Sequence, residues 1–319
     1  MADTLSLLYT SDYRSTFDFP DKLRFHKITA RNMPLVWHYL QREKGRTCDF
    51  SYGGVLMWVD MFDYEMAICH DTLFIKGRLE NDLSLPAFSL PVGSLSLADS
   101  VTLLQRYSRE QGSPLRFSAI PGYCIDGFID LGPRHVDPLE DWSDYLYDIN
   151  SLATLAGKKM AKKRNHVNQY VALYGSDTYE PLTRAALPDL CSFMDSLEAA
   201  GAPSAQADEE RRLTRKVLDM MNHHDMPMQG GLLRVDGGVV AFTIGDVKGD
   251  TLFVHIEKAL REVPGSYEMI NKCFAADMLA RYPHLSFVNR EDDAGDEGLR
   301  KAKLSYHPVE LLKKYNVVF

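Results

Sequence analysis

Hydrophobic and polar positions repeat in the same order in the two halves of the chain. Alternation with a period of two is typical of a β-strand, whereas apolar residues three and four apart are typical of a helix. In each half, three alternating segments precede a helical segment and one further strand. These elements are residues 64–69, 72–78, 86–90, 98–110 and 115–120, and then 231–235, 238–246, 251–258, a helix after 264–266, and 285–289. The sequence therefore predicts one supersecondary unit in two copies.

The connections between these segments predict how the strands pair. The turns at 236–237 and 248–250 are short and contain glycine, which favours antiparallel neighbours. A helix between the third and fourth strands requires a parallel, right-handed crossover. Further helices are predicted at 33–44 and within 146–224. The predicted fold class is α/β (α+β), in which each domain is a mixed, mostly antiparallel sheet flanked by helices.

Length and composition are sufficient for two such domains. The chain has 319 residues, of which 45% are hydrophobic, so each half can bury a core of its own. Prolines and acidic residues between 133 and 145 are typical of a connection. We therefore expect an N-terminal domain at 1–140 and a C-terminal domain at 141–319.

Composition excludes several classes of protein. No apolar run approaches the ~20 residues that span a bilayer, and the first residues lack a secretory pattern, so a cytoplasmic location is predicted. The five cysteines never have Cys-x-x-Cys spacing, and neither a disulfide framework nor a zinc site is expected. The acidic loop at 291–297 lacks the spacing of a calcium loop, and an exposed loop is the simpler interpretation. No metal ligand is predicted.

The strand at 251–258 carries candidate acid–base chemistry. Under strict alternation, His255 and Glu257 share one face and lie roughly 6 to 7 Å apart along the strand. A carboxylate at that distance can orient an imidazole, which would make the pair a general base. The alternative is a half-exposed strand face whose polar residues meet solvent or the other domain.

The helix that follows this strand begins with residues suited to an anion. Gly265 permits a tight turn, Ser266 can cap the first turn, and Tyr267 begins the helical pattern. Free N–H groups at a helix start attract phosphate or carboxylate. Most capped helix starts bind no ligand, so this feature gains weight only from the strands on either side.

Residues 158–164, KKMAKKR, contain five basic side chains and no acid, although the net charge of the chain is −8. A helical wheel places the lysines and His166 within an arc of about 140°, opposite Met160 and Val167. Such a face either meets solvent or contacts phosphates of nucleic acid, of a nucleotide-bearing substrate or of anionic lipid. The candidate phosphate-binding residues are Lys158, Lys159, Lys162, Lys163, Arg164 and Asn165.

Two further basic residues lie after the last repeated strand. Arg290 is at the end of that strand, where mixed sheets commonly place ligand contacts. Lys303 follows on a short predicted helix. A lysine near a developing oxyanion stabilises the transition state of acyl transfer, which would give Lys303 a chemical role.

Four blocks of sequence carry a resemblance to a known family. They read YLYDINSLATLAGKKMAKKRNHVNQY, GGVVAFTIG, LFVHIEKALREVPGSYEMINKCFA and VNREDDAGDEGLRKAKLSYHP. Together they resemble the phosphatidylglycerol lysyltransferase C-terminal domain in a stand-alone form. The resemblance is strongest from about residue 146 to 308, and it implies two tandem GNAT-like domains related to the Fem-type aminoacyl transferases.

The resemblance also implies roles for particular residues. Lys303 matches a lysine that helps to polarise the acyl group in Fem-type enzymes, where an aromatic–glycine pair follows; here the pair is Tyr306-His307. The pyrophosphate motif of GNAT enzymes that bind coenzyme A is altered at 261–267, because it has one spacer too many and Tyr267 replaces a small residue. Aminoacyl-tRNA is therefore a more suitable donor than acetyl-CoA.

The leading hypothesis is an acyltransferase that moves an aminoacyl group from tRNA to an amine or hydroxyl. In it the basic helix holds phosphates, Arg290, Tyr306 and the Gly265–Ser266 turn position substrate, His255 or Glu257 accepts the proton, and no cofactor is tightly bound. The acceptor would be a small molecule or a lipid or cell-wall precursor, with peripheral membrane contact through the basic helix. The alternatives are a noncatalytic module that binds a small anion and an N-acetyltransferase that uses acetyl-CoA.

Overall fold

The computed structural model describes residues 22–200 and 205–319, and they form two compact units. Unit 1 extends to Ser143 and also contains Leu312–Phe319, whereas unit 2 is Asp144–Leu311. The predicted first domain began at residue 1, but residues 1–21 lie outside the described residues. The predicted second domain extended to residue 319. Its last segment instead belongs to unit 1, because Lys314–Val318 pairs with two strands of that unit.

Unit 1 is built on one mixed sheet. Its strands are β1 (His26–Lys27), β2 (Glu65–Cys69), β3 (Thr72–Leu79), β4 (Asp82–Phe88), β5 (Val92–Gly93), β6 (Arg116–Pro121), β7 (His135–Pro138) and β15 (Lys314–Val318). The order is β1-β2-β3-β4-β6-β15-β7, with β5 beside β3. Strands β2, β3 and β4 are antiparallel, and β4 and β6 are parallel, as the sequence predicted.

Helices cover the sheet of unit 1. They are α1 (Met33–Leu40), α2 (Tyr52–Trp58), α3 (Leu97–Glu110) and α4 (Ile125–Ile129). Helix α3 is the crossover between β4 and β6, and it begins where the Ser96 hydroxyl accepts a hydrogen bond from the Asp99 amide. Its Val101 and Leu104 are buried in one cluster with Phe117 of β6. The apolar stripe of the predicted helix is therefore the core-facing side.

Unit 2 repeats this arrangement with a second mixed sheet. Its strands are β8 (Asp144–Asp148), β9 (Tyr179–Pro181), β10 (Met228–Val235), β11 (Gly238–Lys248), β12 (Thr251–Ala259), β13 (Phe287–Asn289) and β14 (Glu310–Leu312). The order is β14-β8-β13-β12-β11-β10-β9. Strands β10, β11 and β12 are antiparallel, and β12 and β13 are parallel. The predicted repeat of strand order and crossover is confirmed in both units.

The helices of unit 2 are α5 (Ile149–Thr154), α6 (Ala161–Tyr174), α7 (Leu187–Ala200), α8 (Ala205–His223), α9 (Ser266–Arg281) and α10 (Glu297–Leu304). Crossover helix α9 buries Ile270, Phe274 and Met278 against the sheet, as its sequence pattern indicated. In contrast, β8 was predicted as the start of a helix. It forms a strand because Val288 and its neighbours in β13 pair with it, which places Tyr147 in the core.

Among residues 22–200 and 205–319, none of the helices combines the length and the apolar character that crossing a bilayer requires.

Candidate functional site

Strand β12 contains a β-bulge that changes the direction of its polar side chains. Ile244 of β11 pairs with Ile256, but the next residue of β11, Gly245, pairs with Val254. His255 is therefore an extra residue between two paired positions. A bulge of this kind interrupts strict alternation and re-aims the side chains around it.

Glycine at position 245 makes this bulge sterically acceptable. A Cβ atom there would lie 2.1 Å from the Phe253 carbonyl oxygen. The sequence prediction placed His255 and Glu257 on one strand face as a coupled pair, and that prediction is wrong. The extra residue separates them, and the two side chains have different partners.

His255 is enclosed between two carboxylates. Its Nδ1 lies 2.7 Å from Glu291 Oε1 and its Nε2 lies 2.5 Å from Asp246 Oδ1, and the imidazole side chain is fully buried. Burial alone would lower the pKa of His255, but the two carboxylates outweigh it and raise the pKa to about 10. The ring is a buried imidazolium that donates two hydrogen bonds. It is therefore unsuited to the general-base role predicted for it, since both nitrogens already carry protons.

Glu257 forms the centre of a separate polar cluster. Its Oε1 accepts a hydrogen bond from Arg290 Nη2 at 2.8 Å, and its Oε2 accepts one from Asn271 Nδ2 at 3.1 Å. The side chains of Arg290 and Glu257 are each 12% exposed. Burial opposes the charge of Arg290, but the neighbouring Glu257 outweighs it and raises the pKa of Arg290. Arg290 therefore keeps its positive charge although its side chain is largely buried.

Aromatic rings surround the guanidinium of Arg290. Its Cζ lies 4.7 Å from the ring centroid of Tyr306 and 5.8 Å from that of Tyr147. A second cation contacts the Tyr306 ring: Lys163 Nζ lies 4.0 Å from the ring centroid. Lys163 Nζ also donates a hydrogen bond to Glu268 Oε1 at 3.2 Å. Burial lowers the pKa of Lys163, and Glu268 opposes that change. Two cations thus contact one phenol ring, whose face attracts each of them.

Two buried polar atoms of the cluster lack a hydrogen-bond partner among the described residues. They are Nη1 of Arg290, a donor, and Oδ1 of Asn271, an acceptor. Glu257 holds Arg290 through Nη2 and Asn271 through Nδ2. Buried polar atoms of native proteins are usually paired, so an ordered water or a polar ligand is the expected partner of this donor and this acceptor.

Lys303 supports this cluster from the loop side. Its Nζ donates to the Arg290 carbonyl at 2.6 Å and also to the Asp292 carbonyl, and its side chain is buried. Burial lowers the pKa of Lys303. Its ammonium therefore fixes the backbone that carries Arg290. These two contacts give Lys303 a positioning role, and the direct role on an oxyanion that the sequence assigned to it stays a prediction.

The acidic block after β13 is a structured loop. Arg300 donates to both carboxylate oxygens of Asp293, from Nε at 2.9 Å and from Nη2 at 2.8 Å, and the Tyr145 hydroxyl also donates to Asp293. The Glu291 amide donates to Asn289 Oδ1 at 2.6 Å. The acids of this block therefore hold the loop between β13 and α10 in one conformation.

The start of α9 packs closely against the backbone of α6. A Cβ at Gly265 would lie 2.2 Å from the His166 carbonyl oxygen, and the Ser266 hydroxyl donates to the Leu260 carbonyl at 3.1 Å. Tyr267 is 37% exposed, and burial of its ring raises the pKa of its hydroxyl. Gly265 and Ser266 therefore pack the helix start against other backbone, and their contact with a substrate anion stays a prediction.

Replacing Gly265 by alanine should destabilise the fold strongly. The residue has a φ of +79°, where an L side chain is strained, and the added Cβ would clash with the backbone of α6. We expect a loss of about 2–5 kcal/mol in the free energy of unfolding. Gly249, with a φ of +57° and open space around it, is the matched control, and Gly249→Ala should lose about 1–2 kcal/mol. Equal losses in urea unfolding would contradict the packing argument.

The basic segment 158–164 divides into two parts. Lys158 and Lys159 lie in the turn before α6 and Lys162 on its first turn, and all three are exposed. The predicted continuous basic helix is wrong for the first two, because the helix begins at Ala161. Arg164 forms the second part, because its Nη1 contacts backbone carbonyls.

Contacts of the remaining members explain this division. Arg164 Nη1 donates to the carbonyls of Leu155 at 2.5 Å and Gly157 at 3.0 Å, which fixes the turn, and Asn165 is exposed beside it. The structure thus brings Lys163, Arg290, Tyr306 and Glu257 together. It places the exposed lysines on the neighbouring turn.

Sequence reasoning missed several members of the cluster. Asn271 interrupts the buried apolar stripe of α9, and a polar residue in such a stripe is the signal that could have identified it. Gly245 within a strand pattern could have indicated the bulge. Glu268 and Tyr147 gave no signal, because their contacts depend on residues far along the chain.

These features define the class of protein. Two units with the same sheet order, predicted as tandem GNAT-like domains, contain a buried charged cluster in the second unit, which is the architecture of an acyltransferase-like domain pair. The chain belongs to the family described as phosphatidylglycerol lysyltransferase, C-terminal, whose model matches residues 41–318.

Two proteins without an assigned function are also similar to this chain. An uncharacterised protein from Mycoplasmoides gallisepticum is 25% identical over 180 residues, which cover 56% of this chain and 56% of that protein. A crystal structure of a conserved protein of unknown function from Bacteroides thetaiotaomicron is 29% identical, with a TM-score of 0.83, and covers 93% of this chain and 100% of that chain.

More distant structures share the fold. The L-PGS structure from Bacillus licheniformis has a TM-score of 0.60 at 14% identity, covering 89% of this chain and 91% of that chain. The FemX structure has a TM-score of 0.59 at 9% identity, covering 93% and 97%. At these identities the likeness shows the fold alone, and it confirms the predicted fold class.

Proposed function

We propose that unit 2 transfers an aminoacyl group from aminoacyl-tRNA to an amine or hydroxyl acceptor. The observation that supports this proposal is a donor of Arg290 and an acceptor of Asn271 that have no partner in the described part of the chain, on two side chains that Glu257 holds. An aminoacyl ester offers an acyl oxygen that accepts hydrogen bonds and an α-ammonium group that donates them. The family description, which names a lysyl transfer, agrees with a donor of this chemistry.

In this reaction the acceptor amine or hydroxyl attacks the ester carbonyl carbon. A new C–N or C–O bond forms, and the C–O bond to the terminal ribose breaks. Arg290 Nη1 would donate to the carbonyl oxygen as negative charge develops there, which is the interaction that lowers the barrier most in acyl transfer. Glu257 would receive the proton of the acceptor and return it to the departing ribose oxygen.

Lys163 and Lys303 would support this step without touching the reacting bond. Lys163 adds positive charge beside Tyr306, and Lys303 holds the Arg290 backbone in place. An acetyl-CoA donor is disfavoured, because the helix start at Gly265 is packed against the His166 carbonyl and leaves no backbone cradle for a pyrophosphate. The proposal therefore requires no tightly bound cofactor.

The three exposed lysines should contact tRNA phosphates. We expect the variant with Lys158, Lys159 and Lys162 all changed to glutamine to bind tRNA more weakly and to lower the salt slope of binding by roughly 2–3. A matched control with exposed basic residues of unit 1, Lys22 and Lys44, changed to glutamine should keep the slope of the parent protein. An unchanged slope in the first variant would exclude these lysines from the tRNA contact.

A donor assay tests the proposal itself. The full chain is incubated with a pool of labelled aminoacyl-tRNA and, separately, with labelled acetyl-CoA, each with amine and hydroxyl acceptors. The proposal predicts release or transfer of the aminoacyl label and no turnover of acetyl-CoA. Turnover of acetyl-CoA alone would indicate an N-acetyltransferase. Binding of small anions without turnover of either donor would indicate a noncatalytic module.

A further inference from the structure

Unit 1 contains a buried lysine beside a cysteine. Lys314 of β15 is 2% exposed, and its Nζ donates a hydrogen bond to Cys48 Sγ at 3.4 Å. The same Nζ forms an ion pair with Asp49 Oδ2 at 2.8 Å. Cys48 is buried as well, in the short helical turn that precedes α2. We call Cys48, Asp49 and Lys314 the thiol–amine cluster, and the transfer reaction proposed for unit 2 does not use it.

The thiol–amine cluster combines two nucleophiles with a base. An ammonium group beside a cysteine sulfur favours the thiolate, which is the nucleophilic form of the side chain. The carboxylate of Asp49 lies within hydrogen-bond distance of the Lys314 ammonium and can accept a proton from it. A lysine that has lost this proton is a nucleophile in its turn. The sulfur and the nitrogen that would react are already in contact.

A small polar cavity lies beside the thiol–amine cluster. Asp49 lines this cavity together with Glu80 and Ser118, and the space suffices for about one water-sized molecule. Thr47, the neighbour of Cys48 in the chain, is 2% exposed, and its hydroxyl has no hydrogen-bond partner among the described residues. Buried hydroxyls are usually paired, so a small polar molecule is the expected occupant of this region. Hydrogen peroxide is such a molecule.

We propose that hydrogen peroxide joins Cys48 to Lys314 through a covalent sulfur–nitrogen bond. In the first step the sulfur of Cys48 attacks one oxygen of the peroxide. A sulfur–oxygen bond forms and the oxygen–oxygen bond breaks. The departing hydroxide takes the proton of the thiol and leaves as water, so that Cys48 becomes a sulfenic acid.

In the second step the amine of Lys314 attacks the sulfur of the sulfenic acid, which is the condensation that gives a sulfenamide. A sulfur–nitrogen bond forms and the sulfur–oxygen bond breaks. Of the three protons of the ammonium, one leaves with the hydroxyl group as water, one passes to Asp49, and one stays on nitrogen. The peroxide is reduced to two molecules of water, and the thiol and the amine together lose two electrons.

The covalent bond would fix the last strand of unit 1. Strand β15 comes from the end of the chain and lies between β6 and β7, whereas Cys48 precedes α2. A link between positions 48 and 314 closes most of the chain into one loop, which lowers the conformational entropy of the unfolded state. Peroxide should therefore shift the urea midpoint of unfolding to a higher concentration. This modification goes beyond the transfer reaction and does not depend on it.

Peptide mapping of the full chain tests the proposal. The protein is treated with a small excess of hydrogen peroxide in the presence of dimedone, which captures sulfenic acids, and is then digested and analysed by mass spectrometry. The peptide of Cys48 should be joined to the peptide of Lys314 with the loss of two hydrogen atoms, and dithiothreitol should separate them. Protein that is unfolded in urea before treatment should not form this product. Capture of dimedone by the exposed Cys191 shows that the peroxide has reacted.

Two variants separate the amine of Lys314 from its charge. Lys314→Arg keeps a cation beside Cys48 but lacks the primary amine, so Cys48 should be recovered with dimedone attached. Lys313→Gln changes the exposed neighbour and should form the link as the parent protein does. In the parent protein, a reduced or dimedone-bound Cys48 without any linked peptide would overturn the proposal, whether or not the variants fold. Equal yield of the linked peptide from urea-unfolded protein would overturn it too.

Discussion

Replacing Arg290 by lysine is expected to lower the rate of aminoacyl transfer by about 10²–10³-fold, the usual effect of removing one donor from a developing oxyanion. Lysine keeps the positive charge beside Glu257. It has no counterpart of Arg290 Nη1, which is the nitrogen that lacks a hydrogen-bond partner among the described residues. The loss should appear in kcat, because the interaction strengthens as charge develops. Single-turnover release of labelled amino acid from tRNA measures it.

Arg281 supplies the control for this variant. It lies on α9, is partly exposed, and donates to Asp277 at 2.8 Å and to Gln229 at 2.8 Å, away from Glu257. Arg281→Lys should retain the rate of the parent protein. If Arg290→Lys turned over at the same rate as Arg281→Lys, Arg290 would have no part in the chemical step.

Replacing His255 by glutamine should destabilise the protein by about 3–5 kcal/mol at neutral pH, because it removes the cation that lies between the carboxylates of Asp246 and Glu291. Urea unfolding monitored by circular dichroism measures this loss. The exposed His224→Gln is the control and should change the free energy of unfolding by less than about 0.5 kcal/mol.

The pH dependence of that loss gives a second measurement. The pKa of His255 is about 10 in the folded protein, against about 6.5 in the unfolded chain. The stabilisation is therefore complete below about pH 6.5 and decreases as the pH rises towards 10, since the folded state alone keeps the proton in that interval. The gap between parent protein and His255→Gln should shrink from pH 6.5 to 10. A constant gap would indicate a neutral imidazole in the folded state.

Hydrophobic periodicity was sufficient to predict most of the architecture. The three antiparallel strands, the crossover helix and the parallel strand are local patterns, so they could be predicted in both halves without knowledge of tertiary contacts. Strand β15 could not be assigned to its unit in this way. Its pairing with β6 joins Val317 to Phe117, and a contact across 200 positions leaves no mark on local periodicity.

The candidate site was predicted less completely, and the reasons lie in particular residues. Arg290, Lys163 and Tyr306 were identified by residue type, and they do lie together. The direction of Glu257 and the role of His255 were not predictable from alternation, since one bulge residue changes the face of every later side chain in a strand.

A complex with a nonhydrolysable donor would test the central claim most directly. The ligand is an adenosine whose 3′ oxygen is replaced by nitrogen, so that an amide links the amino acid to the ribose. The account predicts that its acyl oxygen lies within hydrogen-bond distance of Arg290 Nη1 and that its α-ammonium group lies against Asn271 Oδ1. A crystal structure with the ligand bound elsewhere, and both atoms still without a partner, would contradict the account.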